Sequence, residues 1–82
     1  MARRPMPKKM AKKLALIRLR LGLSQTQLVE ALKYKATPLY ASQISNFEQG
    51  KREPPLMVLL AYARLGGVSV ESLIDDKMKL SE

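Results

Sequence analysis

Apolar side chains return along this chain at helical spacing, and no stretch of convincing length alternates as a strand does. Met10, Leu14, Ile17 and Leu21 form one stripe, with Lys9, Lys12, Lys13 and Arg20 mainly off it, so a first helix is predicted to begin near Lys8 and end at Gly22. Ser24 and Gln27 make a Ser-x-x-Gln capping box, which satisfies backbone N–H groups that a helix start leaves orphaned. A second helix therefore starts there, carries Leu28, Val29, Ala31 and Leu32, and fades around Lys33 to Lys35. Thr37 as N-cap with Pro38 in the first helical position predicts a third helix through Leu39, Tyr40, Ile44 and Phe47, stopped by Gly50. Leu56, Val58, Leu59, Leu60, Ala61 and Ala63 predict a fourth that is apolar on most sides and packed by several neighbours, with Gly66 and Gly67 terminating it. Ser69 caps a short fifth helix holding Val70, Leu73 and Ile74.

The pattern is that of an all-α, compact five-helix domain over residues 8–76. Pro5 and Pro7 leave residues 1–7 as a flexible basic arm, and residues 77–82 form a charged tail, loosely held from Asp75 onward. With 82 residues there is room for one modest core. Cysteine and histidine are both absent, so neither disulfides nor a His/Cys metal site can supplement it, and no cofactor is expected. No apolar run approaches the ~20 residues needed to span a bilayer, and no hydrophobic signal region opens the chain, so a cytoplasmic location is expected.

Charge changes the picture further. Fifteen Lys and Arg against seven Asp and Glu give a net charge of +8, and Arg3, Arg4, Lys8, Lys9, Lys12, Lys13, Arg18 and Arg20 all precede the first acid, Glu30. Such a field attracts polyanions, because neutralising phosphates with Lys and Arg releases condensed counterions. Charge alone does not distinguish nucleic acid from a membrane surface or an acidic protein.

Particular residues narrow the choice. The run Gly22-Leu23-Ser24-Gln25-Thr26-Gln27-Leu28, followed by Ile44-Ser45-Asn46-Phe47-Glu48-Gln49-Gly50-Lys51-Arg52-Glu53-Pro54, resembles the lambda-repressor-like helix-turn-helix family of phage and bacterial transcriptional regulators, the Cro, repressor and XRE-like type. Leu59 to Leu65 and Gly67 to Ile74 match its fourth and fifth helices, so the resemblance covers roughly residues 14–74. It implies a third helix lying in the major groove of double-stranded DNA. It also implies transcriptional control by occupancy, repression more readily than activation, by a homodimer on a pseudo-palindromic site.

Counting back from Ile44 as a core position, the base-reading candidates are Tyr40, Ala41, Ser42 and Gln43, with Asn46 one turn on. Asn and Gln can grip adenine through paired hydrogen bonds, Ser can bond many base edges, and Ala or an aromatic ring can touch the thymine methyl group. Tyr40 has a buried position in the core as its alternative. The resemblance assigns Gln25 to a phosphate and to orienting the reading helix, and Lys51 and Arg52 to the DNA backbone. Ser24, Arg20 and Ser45 are further phosphate candidates, Ser45 with helix packing as its alternative. Arg18 and Glu48 fall where the family keeps a structural arginine–glutamate pair. One departure stands out: the span from Ser24 to Ile44 is about five residues longer than a compact motif whose turn takes ~3 to 4 residues. The extra residues lie within Lys33 to Tyr40, where they either extend the third helix by a turn or lengthen the loop, and Lys33 and Lys35 become candidates for added backbone contacts.

Four other functions compete. A protein-interaction module, such as an antitoxin-like or accessory subunit, can use the same fold. A basic amphipathic helix near the start also suits a membrane surface, although no membrane partner is expected. Single-stranded RNA binding lacks its stacking platforms, since the aromatic residues are Tyr34, Tyr40, Phe47 and Tyr62. An enzyme is not expected: there is no glycine-rich phosphate loop, and no carboxylate cluster beyond Asp75-Asp76. A pairing surface for the homodimer is expected around Val70, Ile74, Met78 and Leu80.

Overall fold

A computed structural model describes residues 6–80, so residues 1–5 of the basic arm and 81–82 of the tail lie outside the described residues. The described residues contain α1 (Met10–Leu21), α2 (Gln25–Leu32), α3 (Ala41–Glu48), α4 (Leu56–Gly66) and α5 (Val70–Ile74), and no strand. Met10, Leu14 and Ile17 of α1 meet Leu28 and Leu32 of α2, Ile44 and Phe47 of α3, Val58, Leu59, Tyr62 and Ala63 of α4, and Leu73 of α5 in one core. Helices α1 and α4 are central, each packing against α5 as well as against the helix-turn-helix half.

Local chemistry explains most boundaries. Gly22 ends α1 with φ of 69°, a left-handed conformation that costs glycine nothing, and its N–H closes on the carbonyl of Leu19. The Ser24 box is complete: Oγ accepts from the Gln27 N–H at 3.1 Å, and Gln27 Oε1 accepts from the Ser24 N–H at 2.8 Å. Ser69 Oγ likewise accepts from the Ser72 N–H at 3.1 Å and opens α5. Gly67 supplies the left-handed cap of α4, whereas Gly66 is still helical. A β-carbon at Gly66 would stand 3.0 Å from Ile17 Cγ2, so its bare backbone is what lets α4 approach α1.

Several expectations need correction. Helix α1 begins at Met10, with Lys8 and Lys9 in the preceding turn. Thr37 and Pro38 do not start α3; the chain runs non-helical to Tyr40, and the extra residues lengthen the loop. The reason is a competing cap: Gln43 Oε1 accepts the Tyr40 N–H at 2.8 Å, as Gln27 does for Ser24, which fixes Ala41 as the first helical residue. Leu39 packs on the core from this extended segment. Leu21 is exposed at the end of its stripe, and Leu56 and Met57 leave one side of α4 open to solvent. Lys13, expected on the polar side of α1, is buried, with 7 % of its surface exposed. The described part of the tail is not loose, because Leu80 joins the core.

Lys13 and the tail are explained together by a reciprocal clasp between α1 and α5. Lys13 Nζ donates to the carbonyls of Ser72 and Asp75, satisfying acceptors that the end of α5 leaves open. In return, Asp76 takes the orphan donors at the start of α1: Oδ1 accepts from the Lys9 N–H and Oδ2 from the Lys8 N–H, both at 3.0 Å. A turn holds the carboxylate in place, with the Met78 N–H on the Asp75 carbonyl at 3.0 Å and the Lys77 N–H on Asp75 Oδ1 at 2.9 Å.

The Lys9 N–H, and next the Lys8 N–H, hold the Asp76 carboxyl below its usual value of 3.8. A depressed folded-state value stabilises the fold above the unfolded value and loses that contribution as pH falls through the folded one. Asp76→Asn should therefore melt at a lower temperature than the parent near neutral pH, and the gap should narrow below about pH 4. Melting curves across pH check this; a gap independent of pH would remove the carboxylate from α1 capping.

Candidate nucleic-acid interface

Ile44 and Phe47 turn inward from α3, so helical geometry turns Ser42, Ser45, Asn46 and Gln49 outward as a continuous polar stripe leading to the cap. Ser42 and Gln49 are exposed, while Ser45 and Asn46 are half-buried. Gln49 Nε2 donates to Ser45 Oγ at 2.8 Å, which orders both side chains. Gln49 was missed by counting back from Ile44, although its place seven residues after Ser42 is the available signal. At the other end Tyr40 is 62 % exposed, which settles its burial in favour of solvent, and Ala41 is half-buried.

Gln43 belongs to the same region but is partly committed. Its Oε1 already serves the Tyr40 N–H, which ties down the side chain, so a paired grip on adenine has to use the oxygen's second lone pair together with Nε2. Among the described residues no such bond occupies the Asn46 side chain; its backbone carbonyl accepts the N–H groups of Lys51 at 3.0 Å and Arg52 at 3.4 Å. That contact folds the basic turn against the end of α3 and leaves both cationic side chains exposed.

Behind this face lies a polar junction. Arg18 Nε donates to Glu48 Oε2 at 2.7 Å, Nη2 to Oε1 at 3.0 Å and Nη1 to the Leu23 carbonyl at 2.9 Å. The guanidinium thus joins α1, the turn before α2 and the end of α3 in one planar fork. Gln25 Nε2 reaches Glu48 Oε1 at 3.4 Å and adds the start of α2 to the same node. Ser24 stands beside it, exposed, its oxygen accepting from Gln27 while its O–H remains a donor. Arg20 is exposed on the last turn of α1. Hydrogen bonding to Glu48 raises the Arg18 pKa against an opposing effect of burial, so the guanidinium stays charged.

Tyr62 is buried next to this field, and its hydroxyl is the one buried side-chain polar atom without a partner among the described residues. Burial first, then the charge of Glu48, push its pKa far up, while Arg18 opposes them; the phenol stays neutral. Among the described residues no group of three or more Asp, Glu, His or Cys could hold a metal ion, and no helix is long and apolar enough to cross a membrane.

A family model described as a helix-turn-helix domain matches residues 9–75, which takes in all five helices. No curated protein matches the chain.

The junction generates two expectations. Arg18 and Glu48 side chains are 18 % and 9 % exposed, so Glu48→Ala should cost about 2 kcal/mol by stranding the guanidinium, less than the ~3 to 5 of a fully buried pair. Tyr62→Phe removes an unsatisfied hydroxyl and should be neutral or stabilising by up to about 1 kcal/mol. Chemical denaturation of both variants measures these values; a loss above about 1 kcal/mol in Tyr62→Phe would show that the hydroxyl has a partner in solution.

Proposed function

Because the chain belongs to the helix-turn-helix domain family, as the match over residues 9–75 shows, we propose that it binds specific double-stranded DNA sites and regulates transcription. In this reading α3 enters the major groove and the chain is of the lambda-repressor-like, XRE type. The observation that carries it is the outward stripe of α3, polar and neutral, flanked by the exposed Lys51 and Arg52. Neutral amides and hydroxyls suit base edges, and cations at the border suit phosphates, which is the division of labour that sequence reading on DNA requires.

Asn46 is the leading base reader, with Ser42 beside it, Tyr40 and Ala41 at the leading end of the helix, and Gln43 contributing a donor. Lys51 and Arg52 clamp backbone phosphates, with Arg20, Ser24 and Ser45 as further contacts. Gln25 serves a phosphate and, through Glu48, the angle of α3. The molecule acts by occupancy in the cytoplasm, as a repressor, and as a binding protein rather than an enzyme. Two copies on a pseudo-palindromic site supply the base pairs that one short helix cannot read. Of the surface expected to join them, Ile74 is exposed, Val70 and Met78 are half-buried, and Leu80 is spent on the core.

Selection of sites from random duplexes, followed by footprinting and sedimentation, tests the proposal. A symmetric enriched site is expected, preferred over random duplex by ~10³-fold or more. Asn46→Ala should lose about 1 to 3 kcal/mol of discrimination at one base position per half-site. Lys51→Ala should weaken all sequences alike and lower the salt slope by about one per bound copy. No enriched sequence, with Asn46→Ala indistinguishable from the parent, would end the DNA reading and favour a protein-interaction module.

A further inference from the structure

The lengthened connection between α2 and α3 does more than span a gap. With α4 it walls a groove of about 290 Å³, whose apolar side includes Leu32, Leu60 and Met57 and whose charged side chains are Lys33, Lys35 and Arg64. Among the described residues no carboxylate lines it. Lys33 adds an independent anomaly: it is the one non-glycine residue with positive φ among the described residues, at 54°, in the αL position where helix ends favour glycine. Strain of this kind persists only where the surrounding structure holds it, and it clusters at ligand-binding and switch regions. Here the side chain gained is a cation at the groove.

We propose that this groove binds a small anionic amphiphile, a carboxylate carried on a short aliphatic or aromatic body. The apolar side suits the body and not a phosphate backbone, and three cations with no carboxylate among the lining residues suit the anionic head. The volume stands at the lower end of small-molecule sites, which points to a compact ligand rather than a protein segment. One wall leads through Tyr40 into the first turn of α3, where Gln43 caps the helix. An occupant that favours one loop arrangement therefore alters DNA affinity, and DNA alters ligand affinity by the same factor. This coupling rests on the DNA reading above; the binding site does not.

The test uses the full chain without DNA first. Fluorescence of 8-anilinonaphthalene-1-sulfonate should rise saturably with the parent and be displaced by decanoate but not by decanol. Lys33→Gly should melt at or above the parent temperature, since glycine relieves the backbone, yet bind the probe about three- to fivefold more weakly, as expected for loss of one exposed ion contact. Met57→Glu changes a residue that is 58 % exposed and should abolish probe binding while leaving the fold intact. Saturating decanoate should then shift affinity for the selected DNA site several-fold in the parent and not in Met57→Glu. Absence of saturable probe binding, or probe binding unchanged in both variants, overturns the site. If Lys33→Gly weakens DNA binding without any ligand and leaves the probe unaffected, the lysine belongs to the DNA surface and the proposal is wrong.

Discussion

The fork between Arg18 and Glu48 sets the geometry on which everything outward of it depends. One guanidinium bonds a carboxylate at the end of α3 and a carbonyl in the turn before α2, so α1 acts as the reference frame for both helices of the motif. A hydrophobic contact would hold these helices together equally well, but without direction. Two parallel N–H to oxygen bonds fix the rotation of α3 about its axis, and rotation decides which residues face outward. The polar stripe of α3 and the basic turn folded onto its last carbonyls are presented by this junction rather than by α3 alone.

That dependence explains the treatment of Tyr62. Its large aromatic ring is buried in the core within reach of the charges of the pair, and its hydroxyl is left without a partner among the described residues. The core gains the ring's apolar area, whereas the hydroxyl contributes nothing that the described residues reveal.

What was legible in the sequence was local. Gly22, the Ser24–Gln27 box, Ser69 and Gly67 each announce a boundary because the residue that bonds the free backbone group lies within a few positions of it. The start of α3 obeyed the same chemistry and was still misplaced. Gln43 supplies the return bond of a capping box, but Tyr40 offers no short side-chain acceptor, so only half of the signal was present and Thr37-Pro38 looked stronger. Lys13 and Leu80 were not legible at all. Their burial depends on partners 59 residues away for Lys13, and on the whole assembled core for Leu80, and helical periodicity carries no information about either. At the candidate site, the outward set on α3 followed once Ile44 was recognised as core; the commitment of Gln43 to capping and the ordering of Gln49 by Ser45 required coordinates.

The clasp between α1 and α5 also bears on the order in which the molecule is made. Helix α1, made before the other four helices, receives its N-terminal hydrogen bonds from Asp76, 67 and 68 residues downstream, whereas Arg18 finds Glu48 after only 30. Closing the longer loop costs merely about 0.6 kcal/mol more than closing one half its length, so the difference is one of time and not of stability. During synthesis the motif half can dock on α1 while the leading end of that helix is still frayed. The turn that holds Lys8 and Lys9 gains these two bonds only once Asp76 has been translated, so this end of α1 is closed by the opposite end of the domain.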